Sequence, residues 1–252
     1  MAEWNSEQYL KFEAQRTQPA IDLANRLKDI IPNKIIDLGC GPGNSTNVLK
    51  TTFPDAFIVG IDNAKNMIEK AKMTYPDIDF RLCDLRLVAS GFDLIFSNAC
   101  LQWVPEHQVL LPELISKLNN NGTLALQIPN NAEEKLFIII KEIASKPQWN
   151  FKDVYFETND ILRPDEYYEI LSECSRDFTI WESIYYHNMP SHDSLVEWVK
   201  GTRLRPYLDA LRPDEAILFE NEIKERIKRE YFTMKDGNII LKFKRLFFIA
   251  KR

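Results

Sequence analysis

The sequence predicts a doubly wound α/β fold with a mostly parallel, seven-stranded sheet. Three observations predict it. Short apolar runs alternate with amphipathic stretches from Pro32 to about Pro129, the pattern of parallel strands joined by crossover helices. The first run, Ile35-Ile36-Asp37-Leu38, passes straight into Gly39-Cys40-Gly41-Pro42-Gly43-Asn44, a glycine-rich turn that lets the backbone bend sharply against a ligand. Later runs end in Asp62, Asp84 and Asn98, and ligands of such sheets bind at the carboxyl ends of the strands.

Taken in order, Asn5–Arg16 and Pro19–Leu27 read as helices ahead of the first strand. Strands follow at Lys34–Leu38, Phe57–Ile61, Asp79–Leu82, Phe92–Phe96 and Thr123–Ile128, with helices at Ser45–Thr52, Ala64–Thr74 and Leu110–Leu118. Asn119-Asn120-Asn121-Gly122 marks a turn into the fifth strand, since Asn and Gly tolerate positive φ. The second half holds two further strands, Phe178–His187 and Ile239–Ala250, antiparallel in the simplest arrangement. Between them lie helical stretches at Ser191–Lys200, Arg205–Leu211 and Asp214–Tyr231. The expected organisation is a single domain, 1–252. Residues 1–31 form helices covering the site, 32–130 the ligand-binding core, and 191–235 a helical cap between the last two strands.

Composition narrows the function classes. A net charge of −5 gives no general attraction to nucleic acid or membrane surfaces, so an anionic substrate needs a local basic pocket. Apolar runs such as Leu136–Ile140 are too short to span a bilayer, and the N-terminus has no basic-then-apolar leader. Cys40, Cys83, Cys100 and Cys174 are scattered, as in a reduced cytoplasmic protein. Three histidines with no His-Glu-x-x-His spacing predict no metal site. The expected state is a monomer acting on a small molecule.

The turn spacing is Gly-x-Gly-x-Gly, and Asn44 stands where a dinucleotide fingerprint has its third glycine. A carboxylate at Asp37 repels a pyrophosphate but suits a ligand carrying an ammonium and a sulfonium. Asp62, 19 residues beyond Gly43, is placed to accept from both ribose hydroxyls of a nucleoside. Asp84 is placed to accept from an adenine amino group, and Met67 to pack on the adenine face or in the core. Asn98 falls beside the glycine turn. A lone aspartate at a strand end is more often a cap or a solvated residue, and it is the joint placement after successive strands that favours a ligand.

These residues resemble, in order and spacing, the cofactor site of the class I methyltransferases. The resemblance implies S-adenosyl-L-methionine as cofactor, leaving as S-adenosyl-L-homocysteine, held by Asp37, Gly39, Gly41, Gly43, Asp62, Asn63, Met67, Asp84, Leu85 and Asn98. Further stretches resemble the trans-aconitate 2-methyltransferase family: Trp4-Asn5, Tyr9-Leu10, Phe12, Arg16, Asn98 to His107, Gln127-Ile128-Pro129, Tyr185 to His192, and Leu204 to Leu208. That family makes a methyl ester of a small tricarboxylic acid. It tends to carry Arg where Gln18 stands and Gly where Arg203 stands, and it has a Glu-Pro-Ser/Thr-His element that Asn130–Leu136 lacks.

An ionised carboxylate needs no general base to accept a methyl group, so no catalytic acid–base residue is expected. Arg203 and Arg205 suit the grip on a carboxylate, or begin a solvated helix. Trp103, Tyr186 and His187 are candidates for the pocket wall, although aromatics on a strand more often pack in a core. His192 caps the following helix or donates to substrate. A longer apolar acid of fatty or biotin-precursor type, and a non-catalytic cofactor-binding protein, are the alternatives.

Overall fold

The computed structural model describes residues 12–151 and 161–252. Trp4, Asn5, Tyr9 and Leu10, with the start of the first expected helix, lie outside the described residues. Seven strands, β1 (Lys34–Leu38), β2 (Phe57–Asp62), β3 (Asp79–Leu82), β4 (Phe92–Asn98), β5 (Leu118–Pro129), β6 (Asp177–Met189) and β7 (Ile239–Lys251), form one sheet. Their order is β3-β2-β1-β4-β5-β7-β6. The first five pair in parallel, and β7 runs antiparallel to both β5 and β6. The strand order reverses between β1 and β4, which opens a crevice at their carboxyl ends.

Both sheet faces are covered, which follows from strand alternation. On one face Ile35, Leu94, Phe96 and Phe247 pack with α1 (Glu13–Asn25) and α2 (Asn44–Thr52) through Ala20, Leu23 and Leu49. On the other, Ile36, Leu38, Ile95 and Leu246 meet α4 (His107–Ser116) through Leu110, Leu111 and Leu114, after α3 (Lys65–Thr74). Neighbouring residues of one strand thus serve opposite layers.

Four differences from the sequence expectation have physical causes. The helix expected to break before Pro19 runs through it, because Pro19, Ala20, Leu23 and Ala24 are buried on the sheet and that burial offsets one lost hydrogen bond. Asn119 to Gly122 form a bulge within β5, not a turn ahead of it: Phe92 pairs with Leu118 and Leu94 with Thr123. Asn121 takes the positive φ of +64° there. Two helices were not expected. In α5 (Lys135–Ala144), Leu136, Ile139, Ile140 and Ile143 make one buried stripe. In α6 (Pro164–Cys174), proline stands at the first turn and Glu166 accepts from the Arg163 N–H at 2.8 Å.

Helices α7 (His192–Lys200), α8 (Arg205–Ala210) and α9 (Pro213–Glu230) lie in sequence between β6 and β7. With α5 they share a second core of Ile139, Val199, Phe219, Ile223 and Phe243. The layer over this end of the sheet is therefore built from two separate parts of the chain.

Candidate functional site

The turn after β1 is shaped by close approach. Gly39 has φ +68°, and a Cβ there would stand 2.1 Å from the Cys100 sulfur. Gly43 has φ +95°, caps α2, and would drive a Cβ to 2.8 Å from Tyr75. Gly43 is therefore a packing residue of the turn and does not line the cavity described below. Ser97 Oγ donates to the Leu38 carbonyl at 2.9 Å and ties β4 to the end of β1.

Asp37 is fully buried behind this turn. It accepts from Ser45 Oγ at 2.6 Å and Thr46 Oγ1 at 2.7 Å, both on the first turn of α2. Burial pushes its carboxyl up to about 7 against those hydrogen bonds, and the Asp62 charge adds to the rise. Its Oδ1 has no partner. Asp62, also raised by burial, accepts from the Gly41 N–H at 2.9 Å and the Ala64 N–H at 2.8 Å. Asp84 accepts from the Arg86 N–H at 2.9 Å.

A cavity of about 760 Å³ runs across the carboxyl ends of the strands. One half is walled by Gly39, Gly41, Asp62, Asn63, Met67, Asp84, Leu85 and Asn98. The other half holds Trp103, Arg203 and Arg205. Arg203 lies 5.7 Å from the Phe137 ring centroid, and burial lowers its pKa. Arg205 Nε donates to Asp209 Oδ2 at 3.2 Å. A second chamber of about 20 Å³ adjoins the turn, lined by Arg16, Thr17, Asn44, Ser45 and Asn98 among others.

Two residues expected at the pocket wall, Tyr186 and His187, do not line the cavity, and neither does His192, expected to cap a helix or donate to substrate. Tyr186 is exposed on the outward side of the edge strand β6 and does not line the cavity. His187, one position on, is buried behind the wall, its ring 4.9 Å from Trp198 and 5.9 Å from Phe243. Burial and the Arg245 charge lower its pKa to about 4, so it is neutral at pH 7. His192 Nε2 donates to the Tyr231 carbonyl at 2.9 Å, joining α7 to the end of α9.

The cavity also takes in residues that were not singled out: Arg245, Trp198, Phe137 and Phe243, with Arg16 known only as part of a motif. One signal was available. Leu241, Phe243, Arg245 and Phe247 occupy one face of β7, so an arginine sits where alternation calls for an apolar residue. Among the described residues, no three His, Cys, Asp or Glu side chains gather as a metal group, and no helix is long and apolar enough to cross a membrane.

Comparison with known proteins adds the following. Residues 33–180 match a family described as a methyltransferase domain. Over 258 aligned residues the chain is 40% identical to the trans-aconitate 2-methyltransferase of Enterobacter sp. (strain 638), covering 100% of this chain and 99% of that protein. It is 41% identical to the enzyme of that name from Escherichia coli O157:H7, with the same coverage. Among solved structures, the YcgJ protein of Bacillus subtilis superposes with a TM-score of 0.58 at 11% identity, over 93% of this chain and 98% of that one. The plantazolicin methyltransferase BpumL, solved with S-adenosylhomocysteine, gives 0.52 at 17% identity, over 98% and 89%. At such identities the structural likeness speaks for the fold.

Proposed function

We propose that this chain, which belongs to the methyltransferase domain family, transfers a methyl group from S-adenosylmethionine to a carboxylate oxygen of a small polycarboxylic acid, with trans-aconitate the leading substrate. The observation that carries the reading is that one cavity joins acidic strand ends to a wall bearing Arg203 and Arg205. The similarity of the full chain to trans-aconitate 2-methyltransferases supports the choice of acid.

The buried acceptors fit the cofactor. Thr17 Oγ1, Asn98 Oδ1 and Asp37 Oδ1 are buried without partners, and Thr17 and Asn98 line the small chamber beside the turn. Such acceptors suit an ammonium group, which only donates. Asp62 and Asp84 are the acceptors for the ribose and adenine, with Met67 and Leu85 as apolar walls. When bound, the cofactor supplies an electrophilic methyl carbon on a positively charged sulfur.

The chain's own residues then have three tasks. Arg203 and Arg205 orient the acid through the two-pronged fit of guanidinium to carboxylate. Trp103, Trp198, Phe137 and Phe243 keep water from the reacting oxygen, so opposite charges neutralise in a dry pocket. Together they hold that oxygen in line, and such positioning supplies roughly 7–11 kcal/mol in favourable cases. No side chain has to remove a proton, because the carboxylate is already ionised at pH 7.

The test is incubation with methyl-tritiated cofactor and trans-aconitate, simple dicarboxylates or medium-chain fatty acids. Base-labile label should appear in the polycarboxylates and persist in a chelator. Label in none of the acids overturns the reading in favour of a binding protein, and a preference for fatty acids overturns the choice of substrate.

A further inference from the structure

Three amide side chains of the cavity wall each leave one polar atom buried without a partner, and the atoms differ. Asn98, the last residue of β4, keeps its Oδ1 unpartnered. Gln102 gives its Nε2 to the Ala99 carbonyl at 2.7 Å and keeps its Oε1 unpartnered. Asn131 is the reverse. Its Oδ1 accepts from the Lys244 N–H at 2.6 Å, and its Nδ2 has no partner. That bond fixes which way the amide is turned, because an N–H needs an oxygen. Asn131 is 8% exposed. Among the described residues of the wall, it is the amide whose unpartnered buried atom is a donor.

The sorting follows the charges of the two ligands. An amide oxygen suits the ammonium and sulfonium of the cofactor, and an amide N–H suits an anion. Asn98 and Gln102 stand at and just beyond the end of β4, in the crevice beside the glycine turn. Asn131 stands beyond the end of β5, on the side of the sheet that leads to β7. The helix that follows it, α5, carries Phe137, whose ring centroid lies 5.7 Å from the Arg203 guanidinium carbon. Neighbouring Asn130 also lines the cavity, yet its Nδ2 is given to Glu182 at 2.8 Å. The backbone around Asn131 is clamped as well. The Asn130 N–H donates to the Lys244 carbonyl at 2.9 Å, and the Glu134 N–H to the Asn131 carbonyl at 3.0 Å. A donor fixed before binding loses little freedom when a ligand arrives. A donor buried without an acceptor also favours a ligand that brings one.

We propose that Asn131 binds the acid directly, its Nδ2 donating to a carboxylate oxygen. The assignment rests on the methyltransferase reading above. A neutral amide grips an oxygen without cancelling the charge of the carboxylate. It also discriminates: an apolar tail laid on Nδ2 leaves the donor unpaired, and a site built to bind a polar group rejects an analogue lacking it. A tether to β7 alone would need only the oxygen of this side chain, which aspartate also has.

The experiment compares wild type, Asn131→Asp and Asn131→Leu. It measures KM and kcat with trans-aconitate, and S-adenosylhomocysteine affinity by calorimetry. Aspartate keeps the oxygen that the Lys244 N–H needs and puts an acceptor where the donor was. Leucine removes both. A tether therefore predicts that aspartate is the milder change, and binding of the acid predicts the opposite order. Asn131→Asp should lower kcat/KM by at least about 100-fold through like-charge repulsion of the carboxylate. Asn131→Leu should lower it by about 10- to 50-fold, the loss of one hydrogen bond to a charged group. S-adenosylhomocysteine affinity should stay within about twofold in both. A milder effect of aspartate, an unchanged kcat/KM in either variant, or loss of S-adenosylhomocysteine by both would each overturn the assignment. If aspartate alone loses S-adenosylhomocysteine, Asn131→Leu decides: the expected fall supports the assignment and an unchanged kcat/KM overturns it. If wild type esterifies no polycarboxylate, the methyltransferase reading fails instead. Calorimetric titration of trans-aconitate into wild type and Asn131→Asp then decides the assignment alone. Weaker binding to the variant supports it, and equal binding, or none to wild type, overturns it.

Discussion

The two halves of the cavity are built on different plans. The cofactor half is made from the ends of β1 to β4 and the residues just beyond them, nearly all within one stretch of sequence, Asp37 to Asn98, with Thr17 added at the small chamber beside the turn. Its working groups are carboxylates and amides, with Lys65 and Arg86 at the rim. The substrate half draws Arg16, Trp103, Arg203 and Arg245 from four distant parts of the chain, and its working groups are guanidinium cations. A strand end is a fixed address, so a cofactor common to many enzymes is served by residues that the sheet itself positions. The acid is met by side chains that the fold brings together only once it is complete, and these can vary without disturbing the sheet.

The strongest test of that division is Asp62→Ala. Cofactor affinity should fall by about 1.5–3 kcal/mol, the usual loss for hydrogen bonds to a charged group, which is roughly 10- to 150-fold. The KM for acid should stay within about twofold. A comparable rise in both constants would show that the halves are not separable.

A smaller effect is expected at Asp37, where stability and binding should move in opposite directions. The native carboxyl holds its proton up to about pH 7, while its ordinary value is 3.8. The native state therefore binds more protons between about pH 4 and pH 7, and its stability falls as pH rises through that window. Asp37→Asn keeps an oxygen for Ser45 and Thr46 but cannot ionise. The cofactor-free variant should melt above wild type at pH 8, by about 2–4 °C for each 1 kcal/mol relieved. The gain should shrink towards pH 4, and cofactor binding should weaken. A melting difference independent of pH removes the buried carboxylate as its source.

The smallest effect sharpens the substrate half. Asp209 is mostly exposed and pairs with Arg205 at 3.2 Å, so it competes with the acid for that cation. Asp209→Asn should lower the KM for trans-aconitate about two- to fivefold, the scale of an exposed ion pair, and leave cofactor affinity alone. A raised KM would mean that Asp209 orients Arg205 rather than occupying it.

The same division decides what was legible in the sequence. The five parallel strands, and Asp62, Asp84 and Asn98 at or just beyond their ends, could be read because parallel strands carry one repeating pattern and their ends share one crevice. Arg245 could not be placed, since its position depends on how β7 registers against a strand more than a hundred residues earlier. Tyr186 and His187 differ by one residue and therefore face opposite sides of β6, and a motif that contains both does not say which faces in. The stripe of α5 at 136, 139, 140 and 143 was present in the sequence, but read as an apolar run its helical period went unused.

The position of β7 has a consequence for synthesis. It is the last strand in the chain, yet it lies between β5 and β6. On a ribosome, β1 to β4 find all their partners among the first five strands, while β5 still lacks its outer neighbour and β6 waits beside an empty slot. Until residues 239–251 follow, β5 and β6 each keep an unpaired edge, and open edges of this kind recruit other chains. The nascent protein therefore completes its cofactor half first and stays most vulnerable to aggregation until the strand bearing Arg245 slides in. A stall late in translation should harm yield far more than one before β6, which pulse-labelled synthesis with pauses coded at either point can measure.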